Sequence, residues 1–301
     1  MKNKLIHIRS DILNAINNKK PVVALESSLI SHGLPYPQNI EVAQKSIKAV
    51  EDCGSIAATI GIIKGKIKVG LSNEDIYLLA KQDSVEKVSA HNLSIAISQL
   101  RNGATTVAST IMIANKIGIK FIATGGIGGV HINAEKTFDI SADINELSNC
   151  NVNVVCSGAK SILDLDKTYE ILETFGITRI GYKTNFMPGF FYQKTNLKVD
   201  FNAKNISQLI NLIKNKYSLK QKGSTLIFNP VQKNKAINKN FIDKWIKESI
   251  AIANSKNILG KNLTPFLIDS INKLSKGRSL KTNISLIIDN AKLASKIASS
   301  I

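Results

Sequence analysis

Two short apolar runs, each stopping at a glycine-bearing turn, constrain this chain most. Ile119-Lys120-Phe121-Ile122-Ala123 ends in Thr124-Gly125-Gly126-Ile127-Gly128-Gly129-Val130-His131, and Val152-Asn153-Val154-Val155-Cys156 ends in Ser157-Gly158-Ala159-Lys160. Runs this short and this apolar read as strands buried on both faces. Pro21 to Leu25, Ile177 to Tyr182 and Ser224 to Phe228 have the same texture, and stretches of helical spacing separate them. Strand–helix–strand units at this spacing belong to the α/β class, with a mixed or parallel sheet and helices on both faces.

The remaining pattern fills in that frame. Helices are expected over 8–19, over Pro37 to Asp52 and from Ser72, with Asp75 near its start, through Ala80. Others are expected over about 92–101, through Ala114 after Thr105-Thr106-Val107-Ala108, and over about 205–217. Ile56 to Ile63 and Ile67 to Leu71 read as a strand pair around Lys64-Gly65-Lys66. Residues 183–204 are irregular, and Phe190-Phe191-Tyr192 within them reads as an interface anchor or as cover for the chain's own core. Segment 231–240 is polar and reads as a loop or partner-facing excursion. The last 60 residues look helical, interrupted at Gly260 to Pro265 and at Lys276 to Ser279. No repeat or linker divides the chain, so 1–301 is expected to be one domain.

Composition narrows the function classes. With 301 residues, 44% hydrophobic, the chain can bury a large core. It has no apolar run of about 18 residues, the length a membrane span requires. Its start, Met1-Lys2-Asn3-Lys4-Leu5-Ile6-His7, lacks a secretory apolar stretch, so a cytoplasmic location is expected. Cys53, Cys150 and Cys156 are scattered and odd in number, which fits reduced thiols and not a disulfide framework. Cys156 lies in an apolar strand and reads as a buried, inert thiol. The net charge is +18, but the lysines are spread among isoleucines and asparagines without forming a basic stripe. The densest cluster, Lys214 to Lys222, offers only Tyr217 for stacking, which argues against a nucleic-acid partner. The charge can still draw in anionic substrates.

Candidate chemistry gathers where the strands end, the place where ligands bind in open α/β sheets. Lys160 can grip a phosphate or attack a carbonyl-like carbon. Glu26, at a strand edge before two hydroxyls, is either a turn cap or a general acid. Lys87 is a second candidate cation. The run Gly125 to Gly129 has neither the dinucleotide frame nor a following Walker lysine. It is either a single-phosphate cradle or a tight packed connection. Asp139 and Asp143 are four apart, with Ser141 between them. One helical turn would put both carboxylates on one face, able to hold a divalent ion through oxygen and water. His131 is a ligand, a substrate contact or a loop residue. Together these residues point to an enzyme acting on a phosphorylated small molecule.

These segments resemble the pseudouridine-5′-phosphate glycosidase family. The matching blocks are Val22 to Ser27 with Ile30 to Gly33, Lys87 to Ser89, Asn102 to Thr110, Ala123 to His131, Thr137 to Asp143, Val154 to Asp164, Leu172 to Gly176 and Thr264 to Leu267. They span about residues 10–298 in one register. The resemblance implies an α/β/α sandwich with a central mixed, mostly parallel sheet, assembled as a homotrimer. It implies reversible cleavage of pseudouridine 5′-phosphate to uracil and ribose 5-phosphate, in nucleotide catabolism. It also implies roles: Glu26 as proton donor, Lys160 as covalent nucleophile, and Asp139 as ligand of a divalent cation, most often Mn²⁺. Lys87, Val107, Thr124, His131, Ser141, Ala142, Asp143 and Asn283 fall at substrate-binding positions. The bond cleaved is carbon–carbon, so there is no exocyclic oxygen to protonate, and the usual two-carboxylate design is not expected. The sequence departs from the family at Ala90-His91-Asn92-Leu93 and across 193–204 and 231–240. A sugar-phosphate kinase would need a nucleotide site that the sequence lacks.

Overall fold

A computed structural model describes residues 5–82, 84–258 and 263–301. The start of the chain at Met1 to Lys4 and the interruption at Gly260-Lys261-Asn262 lie outside the described residues.

The first half of the chain runs β1 (Ile6–Ile8), α1 (Ser10–Asn17), β2 (Val22–Leu25), α2 (Gln38–Glu51), β3 (Ile56–Ile63), β4 (Lys66–Val69) and α3 (Asn73–Lys81). It continues through β5 (Glu86–Val88), α4 (Leu93–Ser98), β6 (Gly103–Thr105), α5 (Val107–Ile117) and β7 (Phe121–Ala123). After β7 come α6 (Ala134–Thr137), α7 (Ala142–Asn149), β8 (Asn153–Cys156), α8 (Leu165–Thr174) and β9 (Thr178–Tyr182). The chain closes with β10 (Phe201–Ala203), α9 (Ile206–Ser218), β11 (Thr225–Phe228), α10 (Lys239–Ser255), α11 (Leu263–Leu274) and α12 (Arg278–Ala298).

The strands form one sheet, ordered β1-β4-β3-β2-β7-β8-β11-β9-β10, with β6 also on β3 and β5 on β6. Pairing is antiparallel at β3–β4 and β3–β6 and parallel elsewhere. The fold is therefore an α/β/α sandwich about a mixed, mostly parallel sheet. Strand alternation assigns the faces. Val23, Leu25, Val155 and Ile227 join one core cluster, with Leu209 and Ile213 of α9 and Ala291 to Ile297 of α12. Val22, Ala24, Val154, Cys156, Leu226 and Phe228 join the other, with Ile111 of α5, Leu147 of α7 and Leu172 of α8. Because both faces are covered, these strands are predominantly apolar, with polar residues only at the starts of β8 (Asn153) and β11 (Thr225).

Most elements fall where periodicity places them. At Ser72 the hydroxyl accepts from the Asp75 amide and the Asp75 carboxylate accepts from the Ser72 amide, a reciprocal cap that starts α3. The short strands β1, β5, β6 and β10 were not expected, because three residues are too few to display a period; β7, equally short, was visible only within a longer apolar run. Phe190, Phe191 and Tyr192 are 5%, 5% and 7% exposed and belong to the main core. Their role as an interface anchor is thus corrected: the rings cover the chain's own interior.

Candidate active site

The site forms at the carboxyl ends of three neighbouring parallel strands. Leu25 of β2 pairs with Ala123 of β7, and Ala123 with Val155 of β8. The next residues along each chain are therefore brought side by side: Glu26, Thr124 and the Ser157–Lys160 turn. Glu26 is buried, and its two carboxylate oxygens accept from the hydroxyls of Thr124 and Ser28. Two donors on one carboxylate hold its rotamer and aim it from the strand end. Ser27 turns away and joins a buried hydroxyl chain with Thr105 and Thr110, which ties β2 to β6.

Lys160 is carried on a turn anchored twice. The Ile127 amide donates to the Gly158 carbonyl and the Lys160 amide to the Ile127 carbonyl, each at 3.1 Å. Gly158 has φ +90°, and a Cβ there would lie 2.2 Å from the Pro188 carbonyl oxygen. Only glycine fits both constraints. Among the described residues no ion pair engages the Lys160 side chain.

The glycine-rich loop is a packed connection. The amides of Ile127, Gly128, Val130 and His131 donate to Gly158, Asp143, Thr168 and Asp139 respectively, so they are spent on protein acceptors. A Cβ on Gly126 would meet the Phe190 ring at 2.6 Å, and one on Gly129 the Thr168 side chain at 2.4 Å. Of the two readings the sequence left open for this run, these four amides and the contacts of Gly126 and Gly129 favour the tight packed connection.

Asp139 and Asp143 do not share a helical face. Asp139 lies in the loop before α7, while Ser141 caps that helix with its hydroxyl against the Asp143 amide. The buried Asp143 carboxylate accepts from Ala108 at 2.8 Å and Gly128 at 2.7 Å. It clamps the start of α5, where Val107 is the first residue, to the glycine loop, and the expectation that Asp139 and Asp143 share one helical face is corrected. Ala142 opens α7 beside it. Asp139 Oδ2 stands 3.9 Å from His131 Nδ1.

Charge connects these residues across the mouth. Burial, followed by the Lys160 charge, lowers the Lys87 pKa, against the pull of Asp143, Glu26 and Asp139. Much of the Lys87 side chain remains open to solvent at the edge strand β5. Burial also lowers the His131 pKa, opposed by Asp139 and reinforced by Lys160 and Lys87. Glu26, Lys87, His131, Asp139, Asp143 and Lys160 therefore face one electrostatic space.

Two further residues, Asn290 and His32, belong to the site and were given no role in the sequence reading. Asn290 of α12 is fully buried and donates to the Thr124 carbonyl at 2.8 Å and to Ser157 Oγ at 3.1 Å, while its oxygen accepts from Asn229. It locks together the ends of β7, β8 and β11. Asn283, two helical turns earlier, stands against Gly125. His32 lies near enough to Lys87 for that charge to lower its pKa, after burial, and its Nε2 is buried without a partner among the described residues. In sequence only its place in a matching block marked it.

Residues 11–300 match the family described as indigoidine synthase A like protein. The pseudouridine-5′-phosphate glycosidase of Caldanaerobacter subterraneus is 46% identical over 296 residues, covering 98% of this chain and 96% of its own. That of Escherichia coli is 46% identical over 296 residues, covering 98% and 95%. The crystal structure of prealnumycin C-glycosynthase AlnA in complex with ribulose 5-phosphate superposes with a TM-score of 0.91 at 33% identity, covering 99% and 97%. An indigoidine synthase A-like protein from Thermotoga maritima gives 0.90 at 33% identity, covering 98% and 96%. By sequence and by fold, the chain belongs to the indigoidine synthase A-like family, that of the pseudouridine-5′-phosphate glycosidases.

Proposed function

We propose that this enzyme cleaves the C-glycosidic bond of pseudouridine 5′-phosphate, releasing uracil and ribose 5-phosphate through a covalent bond to Lys160. The observation that carries this reading is the placing of a buried carboxyl, Glu26, and a lysine without an ion-pair partner among the described residues, Lys160, on adjacent strand ends. The names of the relatives and the sugar phosphate bound by the related glycosynthase support it. The same support extends to the reverse reaction and to a place in pseudouridine catabolism.

Glu26, held by Thr124 and Ser28, gives its proton to the ring oxygen as the ring C–O bond breaks. Lys160, as a free amine, bonds the anomeric carbon. Its nitrogen lone pair then forms an imine as the carbon–carbon bond to uracil breaks and the departing ring carbon takes a proton. Water hydrolyses the imine to ribose 5-phosphate and frees Lys160. Lys87 holds the phosphate by charge, since the amides of Ile127, Gly128, Val130 and His131 are occupied. His131, its pKa lowered by burial, meets the sugar as a neutral imidazole. Asn283, Thr124, Val107 and the Ser141–Asp143 stretch shape the pocket wall.

Asp139 is the residue that would hold a divalent cation such as Mn²⁺. Its side chain is 40% exposed beside His131, whereas both Asp143 oxygens are taken. That donor set fits an ion that keeps most of its waters and shares the substrate, and not an all-protein cage. When bound, the ion supplies positive charge to the anionic substrate. A cytoplasmic homotrimer is part of the same proposal, and it rests on the family resemblance.

Borohydride added during turnover tests the chemistry. It should trap a sugar-phosphate adduct on Lys160, seen by peptide mass. Lys160→Ala should remove uracil release by several orders of magnitude, and Lys160→Arg should not restore it, because a guanidinium stays protonated. Near-normal release by Lys160→Ala would end the covalent reading.

A further inference from the structure

A second feature lies at the β9–β10 edge of the sheet, two strands from β8 and sharing no lining residue with the site around Lys160. A groove of about 520 Å³ runs between the β9–β10 edge and α9, lined by Thr178, Phe201, Gln208, Asn211, Asn215 and Lys216, with Leu212, Leu219 and Gln221. Its floor is unusual. Lys216 is 3% exposed, and its ammonium donates to Thr178 Oγ1 and to the Ser224 carbonyl, each at 3.1 Å. Both acceptors are neutral. An ammonium has three donors, and these two acceptors leave one unused. Among the described residues that line the groove there is no aspartate or glutamate.

Lysine is almost never this buried without an anionic partner. Arg179 of β9, next to Thr178, is by contrast paired, with Asp200 and Glu173. Burial alone lowers the Lys216 pKa, to about 8, with no carboxylate contributing. The rest of the lining is four neutral amides and the apolar faces of Phe201, Leu212 and Leu219. Such a lining suits a ligand with polar edges and a flat body. Tyr217 faces elsewhere, accepting from Asn153, so the neighbouring lysines have no stacking partner there and a polynucleotide track is not what the groove offers.

We propose that this groove is a second ligand site, separate from the catalytic one, which takes a small molecule bearing an oxyanion, a phosphate or a carboxylate, paired with Lys216. The proposal does not depend on the reaction assigned to Lys160.

Full-length protein carrying ¹⁵N-labelled lysine tests it. The Lys216 Nζ resonance is followed from pH 7 to 10 with orthophosphate, with acetate, or with chloride at matched ionic strength. Orthophosphate or acetate should raise the Lys216 titration midpoint saturably, by about one unit, as a paired charge favours the protonated amine, and chloride should not. The stronger of the two identifies the anion class. Two exposed variants test the location without touching the core. Asn211→Asp should weaken binding at least tenfold, and Asn211→Lys should tighten it. In Lys216→Met, which has no Nζ to follow, calorimetric titration with the same anions should show no saturable binding. No shift with either anion would overturn the proposal, as would equal affinities across the Asn211 variants.

Discussion

Replacing Asp143 by Asn isolates the clamp that shapes the site. Its carboxylate takes two buried amides, Ala108 at 2.8 Å and Gly128 at 2.7 Å. Asparagine has one acceptor oxygen, so it can keep one of these bonds. The lost charge-assisted bond is worth about 1.5–3 kcal/mol, and the carboxamide NH₂ then faces a buried N–H that has no acceptor, costing about 1–3 kcal/mol more. The expected loss is about 4 kcal/mol. For 301 residues, at about 2.1 cal/mol/K per residue, the unfolding entropy is about 0.6 kcal/mol/K, which converts this loss to a fall in Tm of about 6 °C. Scanning calorimetry reads that fall. Activity should drop further than stability explains, because freeing Gly128 moves the loop that seats the Lys160 turn, and a misplacement of about 1 Å costs on the order of a hundredfold. A Tm within about 1 °C of the parent protein would refute the clamp.

Other expectations follow from the same geometry. Gly158→Ala forces a side chain into φ +90° and against the Pro188 carbonyl. It should destabilise by on the order of 3 kcal/mol, measured by urea unfolding. Asp139→Asn should raise the Mn²⁺ concentration needed for half-maximal uracil release by at least about tenfold, with little change in Tm, since the side chain is partly exposed. An unchanged metal requirement would remove Asp139 from the metal. Stability against pH carries a signed test. Between about 8 and 10.5, folded Lys216 has lost a proton that the unfolded chain keeps, so its contribution to stability rises with pH. Buried Cys150 and Cys156, raised to about 11 and about 12 from 9.0, act oppositely, because the folded state keeps protons that the unfolded thiols release above pH 9. From pH 8 to 9 the parent protein should therefore gain stability relative to Lys216→Met, followed by chemical denaturation at each pH.

The sequence by itself determined the central strands, most helices and the chemical cast. Strands buried on both faces are largely apolar, so β2, β7, β8, β9 and β11 stand out from the chain. The Ser72 to Asp75 cap announces α3 for a similarly local reason. Glu26 and Lys160 were visible because each directly follows such a strand. Only the tertiary structure decided what lies between them. Strand order, which no local pattern encodes, set β2, β7 and β8 side by side and so joined residues more than a hundred positions apart. It also decided between readings that local chemistry left open. The glycine run became packing because Phe190 and Thr168 arrive from distant segments, and Asp143 became a clamp because α5 presents an amide to it. Asn290, His32 and Lys216 escaped sequence reading for the same reason. A buried polar group takes its meaning from partners that folding supplies, and the chain around it gives no sign of them.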